Sequence, residues 1–434
     1  MYTRLLVFAC KLLIKGLRLI GRNGSALPGL IIEKLDSSFL EKTLKSVQKK
    51  IIIVTGTNGK TTATKMLVTV LRATGKTVVT NNTGSNMTRG LISTIVDDMS
   101  LFGSLRQADW FVFEMDEAYA PRFTSKINPK LLIALNVLRD QLDRYGEIDK
   151  TAKLIEKAAS HSSLYVYNGL DPLLRESALR LQSKGIQVSC FSISSDLLTH
   201  VENEQSLHNQ EISSNIYKDT KVVLNKVEKK EDFQELELSV NNNLIIIDIP
   251  LKGFHNALNA AAVATGMMAL DATEYLNSAL HSLSHMKPPF GRGEVLELKD
   301  KHITVALVKN PSGFMSNLET FVKDNNKLDS VIFAVNDKFA DGRDVSWLWD
   351  VRFKEMVESL SANTKIIASG SRGYDMALRL KYDGIDAIAT TNIKHALNKI
   401  MSSKDRNILI VPTYTALFEV RNALAQYGKV PKIW

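Results

Sequence analysis

Ile51-Ile52-Ile53-Val54-Thr55-Gly56-Thr57-Asn58-Gly59-Lys60-Thr61-Thr62 is the stretch that decides the fold of this chain. An apolar β-branched run leads into a glycine turn. The turn then opens a helical pattern with Met66, Leu67, Val70 and Leu71 on one face. Strand, glycine turn and helix N-terminus together make a phosphate site, because glycines let backbone N–H groups approach anionic oxygens and the helix end adds partial positive charge. Gly56, Thr57, Asn58, Gly59, Lys60, Thr61 and Thr62 are therefore read as nucleotide-binding. Lys60 would reach the β- and γ-phosphates, and the Thr61 hydroxyl would hold Mg2+. The general P-loop has a glycine five residues before Gly59, where this chain has Val54, so the loop is a shortened variant.

Outward from the loop, short apolar runs alternate with helical patterns. Strands are expected at 77–80, 110–113, 131–135, 164–167 and 186–189, which predicts a parallel, doubly wound sheet with ligands at the strands' C-terminal ends. Residues 196–235 are polar and read as an insertion, partly β-hairpin, and 236–250 alternate as antiparallel strands do. An Ala-rich helix is expected from His255 to Leu270, and Pro288-Pro289-Phe290-Gly291 reads as a hinge. Beyond it, strands at 303–308, 331–335, 365–368, 387–390 and 408–411 repeat the rhythm in a second, smaller Rossmann-like α/β domain. The expected organisation is a basic amphipathic helix and lead-in (1–50), a central ATPase domain (51–290) and a C-terminal α/β domain (291–434).

Composition narrows the chemistry. The 434 residues carry a formal charge of +9, which suits an anionic partner, but no aromatic-basic motif favours nucleic acid. Two cysteines, Cys10 and Cys190, cannot build a disulfide framework or a four-cysteine zinc site, and they fit a reducing cytoplasm. At the N-terminus, Arg4, Lys11, Lys15, Arg18 and Arg22 fall within about 60° of one another on a helical wheel, and most of the remaining circumference is apolar. Two readings stand there: a helix packed on the first domain with a solvated basic stripe, or a helix lying on anionic lipid at residues 4–22.

Three further stretches carry chemistry. Phe113-Glu114-Met115-Asp116-Glu117 ends a strand on the side of the phosphate loop, so Glu114, with Glu117 second, is the candidate carboxylate for Mg2+ beside Thr61. Asn136-Val137-Leu138-Arg139-Asp140-Gln141-Leu142-Asp143-Arg144-Tyr145-Gly146-Glu147 follows the next strand, and His255-Asn256-Ala257-Leu258-Asn259 opens a helix after Gly253. Together with the loop, these segments resemble the ATPase domain of the Mur ligase family. The resemblance implies a Mur ligase-type P-loop ATPase fold, activation of a carboxylate by ATP as an acyl phosphate, and contact of Asn256 with the nucleotide base, Asn259 supporting the helix. The amino-acid-adding members usually read Asp-His-Leu-Asp where this chain has Asp140-Gln141-Leu142-Asp143, which argues against ordinary amino-acid addition.

The C-terminal half is similar to one branch of that family, the MurT-type subunits of lipid II isoglutaminyl synthases. Carrying that likeness are Gly291-Arg292-Gly293-Glu294, Lys309-Asn310-Pro311-Ser312-Gly313-Phe314, the run from Asn336 to Asp350, Ser369-Gly370-Ser371-Arg372-Gly373-Tyr374-Asp375 and Pro412-Thr413-Tyr414-Thr415-Ala416. The likeness implies that Arg292 joins the nucleotide site, and that lipid II is amidated at its D-glutamate with ammonia from a GatD-type glutaminase subunit. It also implies that Asp350, ending Trp347-Leu348-Trp349-Asp350, completes the partner's Cys-His pair as Lys60 and Glu114 serve the ATPase reaction, with Asp344 the alternative carboxylate. Relatives insert a four-cysteine zinc ribbon; segment 196–235 has no cysteine, so zinc is not expected, and His200 and His208 remain lone histidines. The rival readings are a Mur- or folylpolyglutamate-type ligase that adds an amino acid, and a non-catalytic nucleotide-binding scaffold for cell-wall synthesis.

Overall fold

The computed structural model describes residues 2–19, 27–81, 87–101, 103–138, 148–205, 219–241, 243–323, 327–354 and 359–431. Nine strands form the first sheet: β1 (Ile51–Thr55), β2 (Val78–Thr80), β3 (Trp110–Glu114), β4 (Leu131–Ala134), β5 (Leu164–Asn168), β6 (Gln187–Ile193), β7 (Thr220–Lys229), β8 (Gln234–Val240) and β9 (Asn243–Ile249). Their order is β2-β3-β1-β4-β5-β6-β7-β8-β9; pairing is parallel as far as β7 and antiparallel across the last two junctions. Connections run to opposite sides of β1, so the phosphate loop leaves the sheet at its switch point, where an α/β sheet opens a crevice for ligand.

The β1 sequence explains its central place. Ile52 and Val54 enter one core, against the helices Lys60–Ala73 and Phe254–Ala269, while Ile51 and Ile53 enter the other, with the N-terminal helices and Phe111 and Phe113. Burial on both faces is why the run is continuously apolar and does not alternate. At the other edge β8 and β9 are covered on one face only. They accordingly alternate, with Leu236, Leu238, Ile245 and Ile247 inward and Glu235, Glu237 and Ile246 outward.

The second sheet contains β10 (Arg292–Leu298), β11 (Lys301–Ala306), β12 (Ser330–Ala334), β13 (Lys365–Ser369), β14 (Ile388–Ala389) and β15 (Asn407–Pro412), in the order β10-β11-β15-β12-β13-β14. All pairs are parallel except β10 with β11. The chain is thus an α/β protein with two parallel-dominated sheets.

Two local readings differ from the structure. The strands expected beyond the hinge start at 303, yet Arg292–Leu298 already form strand β10; Gly291 (φ +65°) and Gly293 (φ +74°) flank its start, where the pairing shifts register. The polar segment 196–235 contains β7, an integral strand pairing parallel with β6, and only its β7–β8 half is a hairpin. Within β7 only Val222 and Leu224 are buried, too few for a period-2 signal to stand out. Residues 206–218 lie outside the described part.

Before β1 come helices Tyr2–Leu19, Leu27–Leu35 and Phe39–Leu44 and a 3-10 turn Lys45–Lys50. The first helix sends Leu6, Val7, Cys10 and Ile14 into the core shared with Ile51 and Ile53, so it packs on the first sheet's domain along that face. Among the described residues no helix is long and apolar enough to cross a membrane.

Candidate functional site

The phosphate loop is held in shape by the loop that follows β4. Thr57 N–H donates to the Asn136 carbonyl at 3.1 Å and Asn58 N–H to Asn136 Oδ1 at 2.9 Å, while Asn136 Nδ2 donates back to the Asn58 carbonyl at 3.1 Å. Leu138 N–H donates to the Thr57 hydroxyl at 3.0 Å. Gly56 (φ +130°) and Gly59 (φ +88°) hold conformations that L side chains rarely adopt. A Cβ on Gly56 would sit 3.0 Å from the Asn136 backbone, and one on Gly59 only 2.6 Å from Asn259 Oδ1. No side chain caps the helix that starts at Lys60, so its first turn is left to an external acceptor. The donor set fits a polyphosphate. Gly59→Ala is expected to weaken nucleotide binding by more than about tenfold, read by titration with a fluorescent ATP analogue, because it adds both backbone strain and a clash. Unchanged affinity would mean the loop does not contact phosphate.

The acidic residues after β3 divide their work. Glu117, not Glu114, meets the loop lysine: Lys60 Nζ lies 3.2 Å from Glu117 Oε2, with side chains only 11% and 5% exposed. The same ammonium donates to the Gly56 and Thr57 carbonyls at 2.5 and 3.1 Å, which holds it over the loop. Glu114 is buried, and its backbone N–H and carbonyl are tied to the Asn81 side chain at 2.9 Å each. No protein donor meets its carboxylate among the described residues. The nearby positive charge is Arg292, whose guanidinium is pulled down by burial and supported by Glu114. A buried carboxylate of this kind is the type of oxygen ligand that Mg2+ takes.

A cleft of about 1400 Å3 opens between the two sheets, lined by Asn58, Gly59 and Thr62 from the loop, Asn256 and Asn259 from the helix Phe254–Ala269, and Arg292. Lys60, Thr61, Glu114 and Glu117 do not line it. Its walls carry nine Lys or Arg residues against three carboxylates (Glu231, Asp232 and Glu294), so it suits an anionic ligand. Asn256 Nδ2 is engaged by the Lys252 carbonyl at 2.7 Å, and Asn259 packs on Gly59.

Side chains at the start of the helix after β11 complete the loop. Asn310 caps the helix Pro311–Phe321 and exchanges amide hydrogen bonds with Asn58 at 3.1 and 3.3 Å, and Ser312 Oγ accepts from Asn58 Nδ2 at 2.8 Å. Sequence reading singles out the Asn310–Ser312 motif but gives it no contact with the loop. The capping pattern is local and legible, whereas a partner 252 residues away is not.

His255 makes a second tie across the cleft, its Nδ1 sharing a hydrogen bond with Ser316 Oγ at 2.7 Å. Burial first, then the charge of Arg292, lowers its pKa from 6.5 to about 4. The folded chain keeps the ring neutral while the unfolded chain protonates it below its ordinary pKa. Its stabilising contribution is therefore present above about pH 6.5 and lost as pH falls towards 4. A His255→Gln chain is expected to lose less melting temperature than the parent on acidification through that window; equal losses would remove His255 as the cause.

Asp350 lies elsewhere, at the end of the 3-10 turn Ser346–Asp350 after β12, partly exposed. Arg379, itself buried, donates to the Leu348 and Val351 carbonyls at 3.2 and 2.6 Å and so fixes this turn. Trp347 is buried beneath it, whereas Trp349 is 50% exposed and meets the exposed Tyr382 edge-on at 5.1 Å between ring centroids. Asp344 is occupied locally, accepting from Ser346 N–H at 2.8 Å and its hydroxyl at 2.9 Å. Cys10 and Cys190 are both buried; burial raises both thiols, that of Cys190 to about 11. His200 stacks on Phe254 at 5.3 Å. Residues 139–147, including Asp140-Gln141-Leu142-Asp143, and His208 lie outside the described part.

Comparison with known proteins agrees with this layout. Residues 54–267 match the Mur ligase middle domain model, and residues 307–417 match the MurT ligase C-terminal model. The chain is 30% identical over 437 residues to the lipid II isoglutaminyl synthase (glutamine-hydrolyzing) subunit MurT of Streptococcus pneumoniae R6, covering 95% of both chains. It is 28% identical to the same subunit of Staphylococcus aureus COL, again over 95% of each. Among solved structures, MurF from Acinetobacter baumannii is similar with a TM-score of 0.67 at 16% identity, over 90% of this chain and 78% of that one. Mycobacterium tuberculosis folylpolyglutamate synthase, solved with ADP and AMPPCP, gives 0.63 at 16% identity, over 94% and 99%. These last two likenesses speak for the fold. Both halves of the chain, loop and C-terminal turn alike, thus point one way: it belongs to the MurT family, the Mur-type ligase subunits of lipid II isoglutaminyl synthases.

Proposed function

We propose that this chain is the ATP-dependent subunit that amidates the α-carboxylate of D-glutamate in the lipid II stem peptide, giving D-isoglutamine with ammonia from a separate GatD-type glutaminase. The observation that carries the reading is a phosphate loop in a chain with no available nucleophile for glutamine. Both thiols are buried with raised pKa values, and a thiol attacks only as its thiolate. Release of ammonia from glutamine is therefore assigned to a separate subunit. A lipid-linked substrate puts the reaction in the cytoplasm, at the inner face of the membrane.

A carboxylate is a poor electrophile; ATP, when bound, supplies the phosphoryl group that makes it an acyl phosphate, from which ammonia displaces phosphate. The chain's own residues prepare that chemistry. The glycine loop and uncapped helix receive the phosphates, and Lys60, beside the loop carbonyls, offsets negative charge there. Thr61 and Glu114 would hold Mg2+. Asn256 and Arg292 stand on the cleft wall for the rest of the nucleotide. Asp350 is proposed as the carboxylate that orients the partner's imidazole, supported by its partly exposed place beside the exposed Trp349 and Tyr382.

The test is co-expression with the glutaminase subunit, then mass analysis of lipid II incubated with glutamine and ATP. One carboxyl should become a carboxamide, with ADP and glutamate released. Addition of a whole amino acid would instead select the amino-acid-adding reading, and no ATP-dependent change would select the scaffold.

A further inference from the structure

The first helix has two apolar faces, and the fold covers only one. Leu6, Val7, Cys10 and Ile14 are inside, but Leu5, Phe8 and Leu12, one helical turn apart, are 63, 44 and 53% exposed. At 100° per residue these three fall between about 80° and 140°, while Arg4, Lys11, Lys15 and Arg18 fall between about 0° and 60°. On the sequence wheel a basic stripe thus borders the exposed apolar strip along one side; Lys15 in it is exposed, while Lys11 donates to the Asp97 carbonyl at 2.8 Å. The helix holds no acidic residue, and none precedes Glu33. Residues 1–50 carry ten basic and three acidic side chains, a net +7 of the chain's +9.

We infer that this outward strip is a docking surface for a membrane containing anionic lipid, the helix lying in the plane of the interface. The arrangement fits a bilayer better than a protein. A narrow strip of three side chains falls short of the roughly 800 Å2 per partner that a stable protein interface buries. A second copy of the chain would bring two basic stripes together. A bilayer accepts the leucines and phenylalanine among its acyl chains while lysine and arginine stay at the level of anionic headgroups. The inference stands apart from the substrate, since it rests on a face distant in sequence from every residue of the nucleotide site.

The test is sedimentation of the full chain with vesicles of phosphatidylglycerol mixed into phosphatidylcholine, against phosphatidylcholine alone. Binding is expected only with the anionic lipid and is expected to fall with added salt. The triple variant Leu5→Gln/Phe8→Gln/Leu12→Gln is expected to bind at least about tenfold more weakly with an unchanged melting temperature, since its side chains face outward. Should that variant fold poorly, Leu12→Trp supplies a positive readout: bromine-labelled acyl chains are expected to quench its added fluorescence. Equal binding to both vesicle types, no binding to either, or no added quenching would overturn the inference. So would a parental dimer that the triple variant dissolves, because the strip would then be a contact between copies.

Discussion

Lys60→Ala is expected to reduce ATP-dependent amidation by at least about a thousandfold while leaving assembly with the glutaminase intact. The ammonium is the loop's only side-chain cation, and it lies within 2.5–3.1 Å of two loop carbonyls at the place where phosphate charge would collect. Its removal has a second consequence. Glu117 is 5% exposed and would lose its lysine, and breaking a buried ion pair costs about 3–5 kcal/mol. Lost activity could then report a lost fold. Lys60→Ala/Glu117→Gln separates the two, because a neutral amide relieves the buried charge: its melting temperature is expected to recover and its activity to stay lost. Amidation at the parental rate by either variant would remove the loop from the reaction.

Asp350→Asn is expected to divide the two nitrogen sources. Glutamine-dependent amidation falls by at least about a hundredfold, whereas amidation with free ammonium proceeds at the parental rate. An asparagine keeps the shape of the turn but cannot stabilise a charged imidazole, and the turn itself is secured independently by Arg379. Asp344→Asn is the control. Asp344 accepts two hydrogen bonds from Ser346, so its substitution is expected to lower stability and affect both nitrogen sources alike. Equal loss with glutamine and ammonium in the Asp350 variant would sink its assignment.

Much of the fold was legible because its signals are local. A β-branched run with glycines after it announces β1 and its loop, and alternating strands and helices announce the doubly wound sheet. Signals failed where burial was thin or the backbone unusual, as in β7, with two deeply buried apolar positions, and β10, which begins between two left-handed glycines. The N-terminal helix shows the same limit: its wheel gave the basic stripe, but not which apolar residues the fold would cover.

The sequence by itself determined the phosphate loop, the α/β class and the family branch, since each is written in contiguous residues. Only the tertiary structure decided which carboxylate meets Lys60. Glu114 and Glu117 are equivalent in a strand-end motif, and pairing with a lysine 57 residues earlier depends on where β1 and β3 lie side by side. Only the tertiary structure joined Asn58 to Asn310 and Ser312, uniting the loop with the second sheet, and left Trp349 outward while Trp347 went in. Local sequence sets backbone conformation over a few residues, whereas contacts between distant side chains follow from how the sheets and helices pack.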